Sequence, residues 1–368
     1  MEELPVKYVV ATLGLALGAV FGATAQKTNF CTMGSISDIV FMGNWNRMRA
    51  WLLAIAVAIL GSQAMHMAGL VDLNKSVYLT PNLGWFGAIV GGALFGFGMT
   101  LAGGCGSKTL VRIGGGNLKS LIVALFIAVF GYMTMRGLIA MGRIPLEGAV
   151  NINLAKAKIP AQGLPDFVTA LTGIALPTAR AGVAAMVAAG LLWFCFRSAE
   201  FRASKPDIAA GLILGATIPA AWAITGIVGN DPFEPTPLAG MTFVAPVGES
   251  VMFLMTFTGA AINFGVATVG GVILGAFLVA LAERTFRIEA FKDASDMGRH
   301  MSGGALMGVG GVMAVGCTIG QGLTGISTLA LGSALALVSI WAGGYFGMKY
   351  LEEGSFGGAM RAVFARAA

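Results

Sequence analysis

The chain consists largely of long apolar runs separated by short polar loops. A helix of about 20 apolar residues spans the hydrocarbon core of a bilayer. The first run is interpreted as a retained span rather than as a cleaved signal peptide. The pattern predicts an all-α, polytopic membrane protein with about nine transmembrane helices, and the runs that predict them lie at about 5–25, 50–70, 84–102, 119–138, 178–196, 208–228, 264–282, 302–316 and 328–348.

Two further apolar segments, about 28–42 and 248–262, are too short to cross a bilayer comfortably. Irregular backbone at membrane depth is tolerated only where protein or a water-filled cavity satisfies its polar groups. We therefore expect these two segments to form short re-entrant or half-depth helices within the bundle.

The longest polar stretch, about 139–177, divides the apolar runs into two groups. Its charged residues and prolines are typical of a connection rather than of a span. The predicted organisation is a single integrated membrane domain in three parts, with a first membrane repeat over 1–150, a connecting loop over 151–177 and a second membrane repeat over 178–368.

An internal repeat relates the two groups. Residues 91–105 read GGALFGFGMTLAGGC and residues 303–317 read GGALMGVGGVMAVGC, with nine of fifteen positions identical. A shorter echo pairs GLALGA at 14–19 with GLILGA at 211–216. Self-similarity at a fixed offset indicates a duplicated structural unit.

Loop charge predicts that the two copies have opposite orientation. Lys and Arg are concentrated in cytoplasmic loops of membrane proteins. Placing the basic loops inside gives an outside N-terminus, an inside C-terminus and nine crossings. Residues 84–102 then run inward and residues 302–316 run outward, which is the inverted repeat of many transporters.

Glycines four residues apart recur in the apolar runs, for example Gly18 with Gly22 and Gly92 with Gly96. In lipid, small residues at this spacing allow helix backbones to approach closely. These glycines are therefore predicted to be packing positions.

Composition excludes several classes of protein. The chain is 57% hydrophobic and 11% charged, whereas a soluble domain carries about 25% charged residues. The formal net charge of +6 is spread over short loops, so the expected partner is a lipid bilayer and not nucleic acid. Four separated cysteines and two histidines show no metal-ligand spacing, so neither a metal site, a cofactor nor a catalytic residue is predicted.

Three of the cysteines share a local context. Cys31 lies in NFCTMG, Cys105 in GGCGSKT and Cys317 in VGCTIGQG, each beside glycine at the end of an apolar run where a helix is expected to break. We predict that these thiols line a path through the protein, whereas Cys195, on a plain span, is interpreted as a packing residue. An uncharged S–H group is a weak donor that suits a soft, polarizable anion.

Polar residues and glycines near these breaks form a second set of candidates. Exposed helix N-termini there would add positive partial charge for an anion. Alternatively, the polar side chains that follow the cysteines are only loop residues in contact with water. Glu249 could likewise be only a favourable negative charge at a helix N-terminus. The candidate pathway residues are Asn29, Gly104, Lys108, Glu249, Asn263, Gly316 and Gln321.

The sequence resembles the YeeE/YedE sulfur-transport family over nearly its whole length. The resemblance is carried by NFCTMGSISD, GFGMTLAGGCGSKTLVRIGGGN and GVGGVMAVGCTIGQG. It implies a multi-pass protein of the bacterial inner membrane with an hourglass of helices, an inverted repeat and re-entrant helices that meet at a narrow waist. It also implies that Cys31, Cys105 and Cys317 pass a sulfur anion along by S–H contacts.

The resemblance further implies a cytoplasmic partner, a TusA/SirA-like sulfur-carrier protein. No such domain follows residue 350, so the carrier is expected to be a separate chain. Thiosulfate is the characterised substrate of the family, while other members are linked to selenium or other sulfur compounds. The motifs therefore favour a small sulfur-containing anion more strongly than thiosulfate itself.

The predicted function is uptake of thiosulfate or a related anion through a cysteine-lined central constriction. Two alternatives remain at this point. A transmembrane thiol–disulfide oxidoreductase would cycle a Cys105–Cys317 disulfide, although the chain lacks a CxxC motif. A passive pore for small solutes would use the cysteines only for packing.

Overall fold

The computed structural model describes residues 5–157, 159–232 and 234–365. Within these residues most of the chain is helical and very little of it is strand, so the predicted all-α class is confirmed. The strands, β1 (Asn82–Leu83) and β2 (Ile152–Asn153), are two residues each and pair antiparallel. The helices are α1 Val6–Lys27, α2 Thr32–Met42, α3 Asn46–Met67, α4 Gly92–Leu101, α5 Gly106–Gly114, α6 Leu118–Arg136, α7 Leu138–Val150, α8 Leu164–Thr172, α9 Leu176–Phe196, α10 Ala199–Ala203, α11 Lys205–Ala223, α12 Ala245–Met255, α13 Phe264–Ala282, α14 Ala294–Met313, α15 Leu331–Glu353 and α16 Phe356–Ala365.

Eight helical segments of the described chain are long and apolar enough to cross a membrane, so this is a multi-pass membrane protein. The ninth predicted crossing, 302–316, lies mostly in α14, which has 20 residues but carries Asp296, Arg299 and His300 in its first turns. These polar residues make α14 less apolar than the other spans. The eight segments are Val6–Met42, Asn46–Met67, Gly87–Gly114, Leu118–Arg136, Leu176–Phe196, Lys205–Val228, Phe264–Ala282 and Leu331–Glu353.

Both segments predicted to be short helices contain one. Residues 28–42 contain α2 and residues 248–262 contain most of α12, each eleven residues long. The segment 151–177, predicted as a connecting loop, contains β2, a 3-10 turn and α8. The outermost parts of the two predicted repeats, residues 1–4 and 366–368, lie outside the described residues.

Glycine allows the main helix pairs to pack backbone against backbone. Gly18 and Gly22 of α1 lie against the backbone of Thr268 and Val272 in α13. α4 packs in the same way on α15: a Cβ atom added to Gly96 of α4 would lie only 2.7 Å from the backbone nitrogen of Gly344 in α15. The predicted packing role of these glycines is confirmed, and it follows from the weak hydrophobic drive between helices in lipid.

The helix pairs occur as counterparts. α1 packs on α13 and α11 packs on α3, while α4 packs on α15 and α14 packs on α6. The short helices follow the same order, since α2 contacts α3 and α15 whereas α12 contacts α13 and α6. Exchanging α1, α2, α3, α4 and α6 for α11, α12, α13, α14 and α15 therefore reproduces these contacts, and α4 and α14 pack on each other.

Candidate permeation site

Each of the three motif cysteines lies at the same kind of helix break. The residue two positions before each cysteine has left-handed backbone: Asn29 at φ 52°, Gly103 at φ 71° and Val315 at φ 59°. This residue follows the C-cap of α1, α4 or α14 and turns the chain out of that helix, as in common helix C-termini. A β-branched residue in this region is an outlier, and the Gly316 N–H stabilises the turn at Val315 by donating to the Gly311 carbonyl at 2.8 Å.

After each turn, the cysteine begins a new short helix. Cys31 is the N-cap of α2, and Cys105 is the N-cap of α5. Cys317 precedes helix 318–327, whose centre, Gly320–Gly325, is π-helical. The sequence prediction of helix breaks at these cysteines is therefore correct, and three helix N-termini with their partial positive charge adjoin the thiols.

Local hydrogen bonds fix the three sulfur atoms. The Gly34 N–H donates to Cys31 Sγ at 3.4 Å, and the Gly320 N–H donates to Cys317 Sγ at 3.4 Å. Cys105 Sγ lies 3.3 Å from the hydroxyl oxygen of Ser107. Each sulfur is thus held close to the first turn of the helix that it begins.

The structure brings the three cysteines together around Cys105. The Cys105 thiol adjoins the Cys31 thiol and the Thr318 side chain, and it also interacts with Cys317. Relative exposure is 7% for Cys31, 1% for Cys105 and 0% for Cys317. All three are free thiols.

Lys108 places a positive charge beside this group. It lies one turn after Cys105 in α5, is buried, and donates from Nζ to Asn29 Oδ1 at 3.1 Å. Its ammonium interacts with Cys31 and Cys105. Gly104 contacts the aliphatic part of the Lys108 side chain, since a Cβ atom there would lie 3.4 Å from it. Three predicted residues, Asn29, Gly104 and Lys108, thus lie at the cysteine site.

A cavity of about 200 Å³, here called the Gln321 cavity, lies beside Cys317. The backbone N–H of Gln321 donates to the Cys317 carbonyl at 2.8 Å, and its side-chain amide donates to the Ala314 carbonyl. Tyr78 lines the cavity and interacts with Cys317. Gly316 connects the turn at Val315 to Cys317, so both predicted residues of this motif adjoin the cysteine.

At the other end of α14 from the Gln321 cavity lies a basic cavity of about 270 Å³, here called the Arg112 cavity. Arg112 follows Lys108 by one turn of α5 and donates to the Gly103 carbonyl at 2.6 Å. Two carboxylates lie among its cationic side chains, and Lys119 pairs with Asp296 at 3.0 Å. Its charged lining residues are Arg112, Lys119, Glu289, Lys292, Asp296, Arg299 and His300.

Glu249 and Asn263, also predicted to line the pathway, lie in a different cavity of about 340 Å³. Asn263 Nδ2 donates to Glu249 Oε2 at 2.9 Å, and Asn263 Oδ1 accepts from the Val266 N–H at the start of α13. No cysteine is among the described residues that line this cavity. Their polarity is explained by helix capping and by their mutual hydrogen bond.

Two threonines were missed by the sequence reasoning. Thr32 and Thr318 directly follow Cys31 and Cys317 and are fully buried. The Thr32 hydroxyl has no hydrogen-bond partner among the described residues, and the Thr318 hydroxyl faces the Cys105 thiol. Buried hydroxyls are normally paired, so an unpaired one beside a thiol is available to a ligand. The repeated Cys-Thr pair is the sequence signal that could have identified them.

The fold and the site define a class: a multi-pass membrane transporter with free thiols grouped at breaks in its helices. The chain belongs to the Sulphur transport family, whose model matches residues 27–346. The resemblance inferred from the cysteine motifs is thereby confirmed. The chain is a transporter of a sulfur compound and not an enzyme, so the oxidoreductase alternative is set aside.

Curated relatives agree with this assignment. The chain is 29% identical to the thiosulfate transporter TsuA of Escherichia coli K12, over 89% of this chain and 92% of the relative. It is 26% identical to the thiosulfate transporter TsuA of Spirochaeta thermophila, over 88% of this chain and 94% of the relative. A shorter match, 31% identical over 27% of this chain and 24% of the relative, is to the probable transporter YedE of Escherichia coli K12.

Proposed function

We propose that this protein takes up thiosulfate, or a closely related small sulfur-containing anion, across the bacterial inner membrane. The passage would be the constriction formed by Cys31, Cys105 and Cys317. The observation that carries the proposal is the grouping of three buried, free thiols at helix breaks contributed by both halves of the chain. Two relatives that align with nearly all of the chain are named thiosulfate transporters.

The order of groups along the site supports a continuous route. Electrostatic interactions connect Tyr78 to Cys317 and Cys317 to Cys105, and a side-chain hydrogen bond connects Cys105 to Cys31. Lys108 then interacts with Cys31, and the Arg112 cavity follows. An anion would meet weak sulfhydryl donors first and positive charge afterwards.

Loop charge supports inward movement. From the positive-inside rule we expect the Arg112 cavity to lie on the cytoplasmic side and the Gln321 cavity on the outer side. An anion that enters beside Gln321 would then move toward increasing positive charge. Weak contacts at successive sites also allow release, because binding that is too strong would stop conduction.

The reciprocal helix pairing supports the inverted repeat. In a two-fold arrangement, the halves contribute equivalent breaks near the bilayer midplane. Cys105 after α4 and Cys317 after α14 are the equivalent pair, and α4 and α14 pack on each other. This arrangement is the basis of the proposed hourglass with its narrow waist.

The thiols and the two buried threonine hydroxyls supply donors of graded strength. S–H is a weak donor and O–H a stronger one, and helix N-termini add N–H groups. The terminal sulfur of thiosulfate would be matched by the soft thiols, and its oxygens by Thr32, Thr318 and Lys108.

We also propose a cytoplasmic partner, a TusA/SirA-like carrier protein that binds at the Arg112 cavity.

Uptake of ³⁵S-labelled thiosulfate tests the proposed function. The protein is expressed in bacterial cells that lack their own thiosulfate and sulfate uptake systems, and its amount in the membrane is measured. We expect labelled sulfur to accumulate well above the empty-vector level, and unlabelled thiosulfate to compete better than sulfate. Vector-level uptake by cells that contain the folded protein would contradict the proposal.

Removing the positive charge at Lys108 is expected to lower uptake. In Lys108→Met cells the initial rate should fall by about tenfold or more, because a hydrogen bond to a charged group contributes about 1.5–3 kcal/mol. Lys75→Met, which removes an exposed lysine from a 3-10 turn, is the matched control. Equal rates in the two variants would show that the Lys108 ammonium does not contact the anion.

A further inference from the structure

The Gln321 cavity has an unusual polar lining. Its lining comes from α7, from the chain segment after α7 and from helix 318–327. Four side-chain oxygens of lining residues are buried and have no hydrogen-bond partner among the described residues: Glu147 Oε1, Asn151 Oδ1, Gln162 Oε1 and Gln321 Oε1. Each unsatisfied buried acceptor costs about 1–3 kcal/mol, so four in one cavity indicate a ligand that they share.

Hydrogen bonds from the amide nitrogens of the two glutamines fix the orientation of those amides. The Gln321 amide nitrogen donates to the Ala314 carbonyl, and the Gln162 amide nitrogen donates to Thr80 Oγ1 at 3.5 Å. Rotating the Gln321 amide by 180° would bring two carbonyl oxygens together. Both glutamines are more than nine-tenths buried, with 4% and 7% exposure. The free oxygens of the two glutamines are therefore acceptors, like the free carboxylate oxygen of Glu147, and acceptors suit a cation and not an anion.

The charge of the cavity sets the class of cation. Carboxylate and amide oxygens are hard ligands that bind small, hard cations. Glu147 is the single carboxylate among the four, and its second oxygen pairs with Arg143 at 2.6 Å. Burial raises the pKa of Glu147, and the Arg143 guanidinium opposes that rise. With one partly compensated negative charge, the cavity matches a monovalent ion better than a divalent one.

We propose that the Gln321 cavity binds Na⁺ through the oxygens of Glu147, Asn151, Gln162 and Gln321. The ion would lie next to the cysteine site, because Gln321, one of its ligands, donates its backbone N–H to the Cys317 carbonyl. It would offset the repulsion between an entering anion and the bare acceptor oxygens. The proposal has two parts. Sodium binding is independent of the proposed function, whereas sodium-dependent uptake rests on it.

Thermal unfolding of the purified protein tests binding without any substrate. The unfolding temperature is measured in detergent at constant ionic strength with NaCl, KCl or choline chloride. A ligand that binds only the native state stabilises it in proportion to the logarithm of its concentration. We expect NaCl to raise the unfolding temperature of the wild type and of the exposed control Glu234→Gln by several degrees over choline chloride, with little effect of KCl.

Two variants keep the test decisive. Glu147→Gln and Gln162→Met should each lose the NaCl-dependent shift, and either one suffices if the other fails to fold. No sodium shift in the wild type, an equal shift with KCl, or a full shift in both variants would overturn the sodium site.

Thiosulfate uptake with external Na⁺ replaced by choline is the second readout. We expect uptake to fall at least about fivefold, which corresponds to about 1 kcal/mol of coupling. Unchanged uptake would overturn the coupling, while absence of uptake in every buffer would count against the proposed function and leave the unfolding result standing.

Discussion

Replacing either Cys105 or Cys317 by alanine is expected to reduce thiosulfate uptake to the level of the empty vector. Alanine removes the S–H donor, and it leaves the next group along the route, such as Thr318 or Lys108, too far away to receive the anion. A lost donor costs about 1 kcal/mol in binding alone, or about fivefold. Breaking a sequential transfer costs more, so we expect at least a tenfold loss in initial rate. Labelled uptake at matched protein levels measures the effect.

The control for these variants is Cys195→Ala. Cys195 is equally buried, and its thiol donates to the Arg49 carbonyl at 3.2 Å, but it is not among the residues that contact Cys105. Its uptake at matched protein levels should stay within about twofold of the wild type, because the substitution removes one hydrogen bond outside the route, at a cost in stability of about 0.5–1.5 kcal/mol. If Cys105→Ala, Cys317→Ala and Cys195→Ala all transport equally well, the thiol route is wrong.

Replacing Gly22 or Gly96 by leucine is expected to prevent folding of most of the protein. At both positions a Cβ atom would collide with the backbone of the facing helix, which cannot move away as a flexible side chain can. Overpacking of a close-packed core costs about 1–3 kcal/mol, and more where the backbone must shift. Membrane proteins have few other sources of helix association, so the folded fraction should fall at least about tenfold.

Size-exclusion chromatography of a fluorescent fusion measures that folded fraction. The matched control is Gly190→Leu in the middle of α9, where a Cβ atom would meet nothing within 4 Å. Gly190→Leu should give a monodisperse peak close to that of the wild type. A similar peak for Gly22→Leu would contradict the close contact between α1 and α13.

Much of the fold could be predicted from the sequence because hydropathy reports directly on membrane crossing. Eight of the nine predicted crossings coincide with helices long and apolar enough to span a membrane. α14 was the difficult case, since its apolar residues occupy only the second half of a 20-residue helix. The break at each motif cysteine was also predictable, because glycine and cysteine occur where an apolar run ends.

Other features depend on contacts that no local pattern records. The left-handed turn at Val315 violates the backbone preference of a β-branched residue, so the residue type there does not predict it. The segment 151–177 is ordered by long-range backbone bonds, such as the Leu331 N–H to the Gln162 carbonyl at 2.8 Å. Glu249 and Asn263 are polar at span edges like the true neighbours of the cysteines, yet they bond to each other in another cavity.

The most direct measurement is an experimental structure of the protein determined with thiosulfate in a lipid environment. We expect density for the anion between the sulfur atoms of Cys105 and Cys317, with Thr318 or Thr32 within hydrogen-bonding distance of it. Density for the anion at a site that none of these residues contacts, with protein side chains packed between the two sulfurs, would rule out the thiol route.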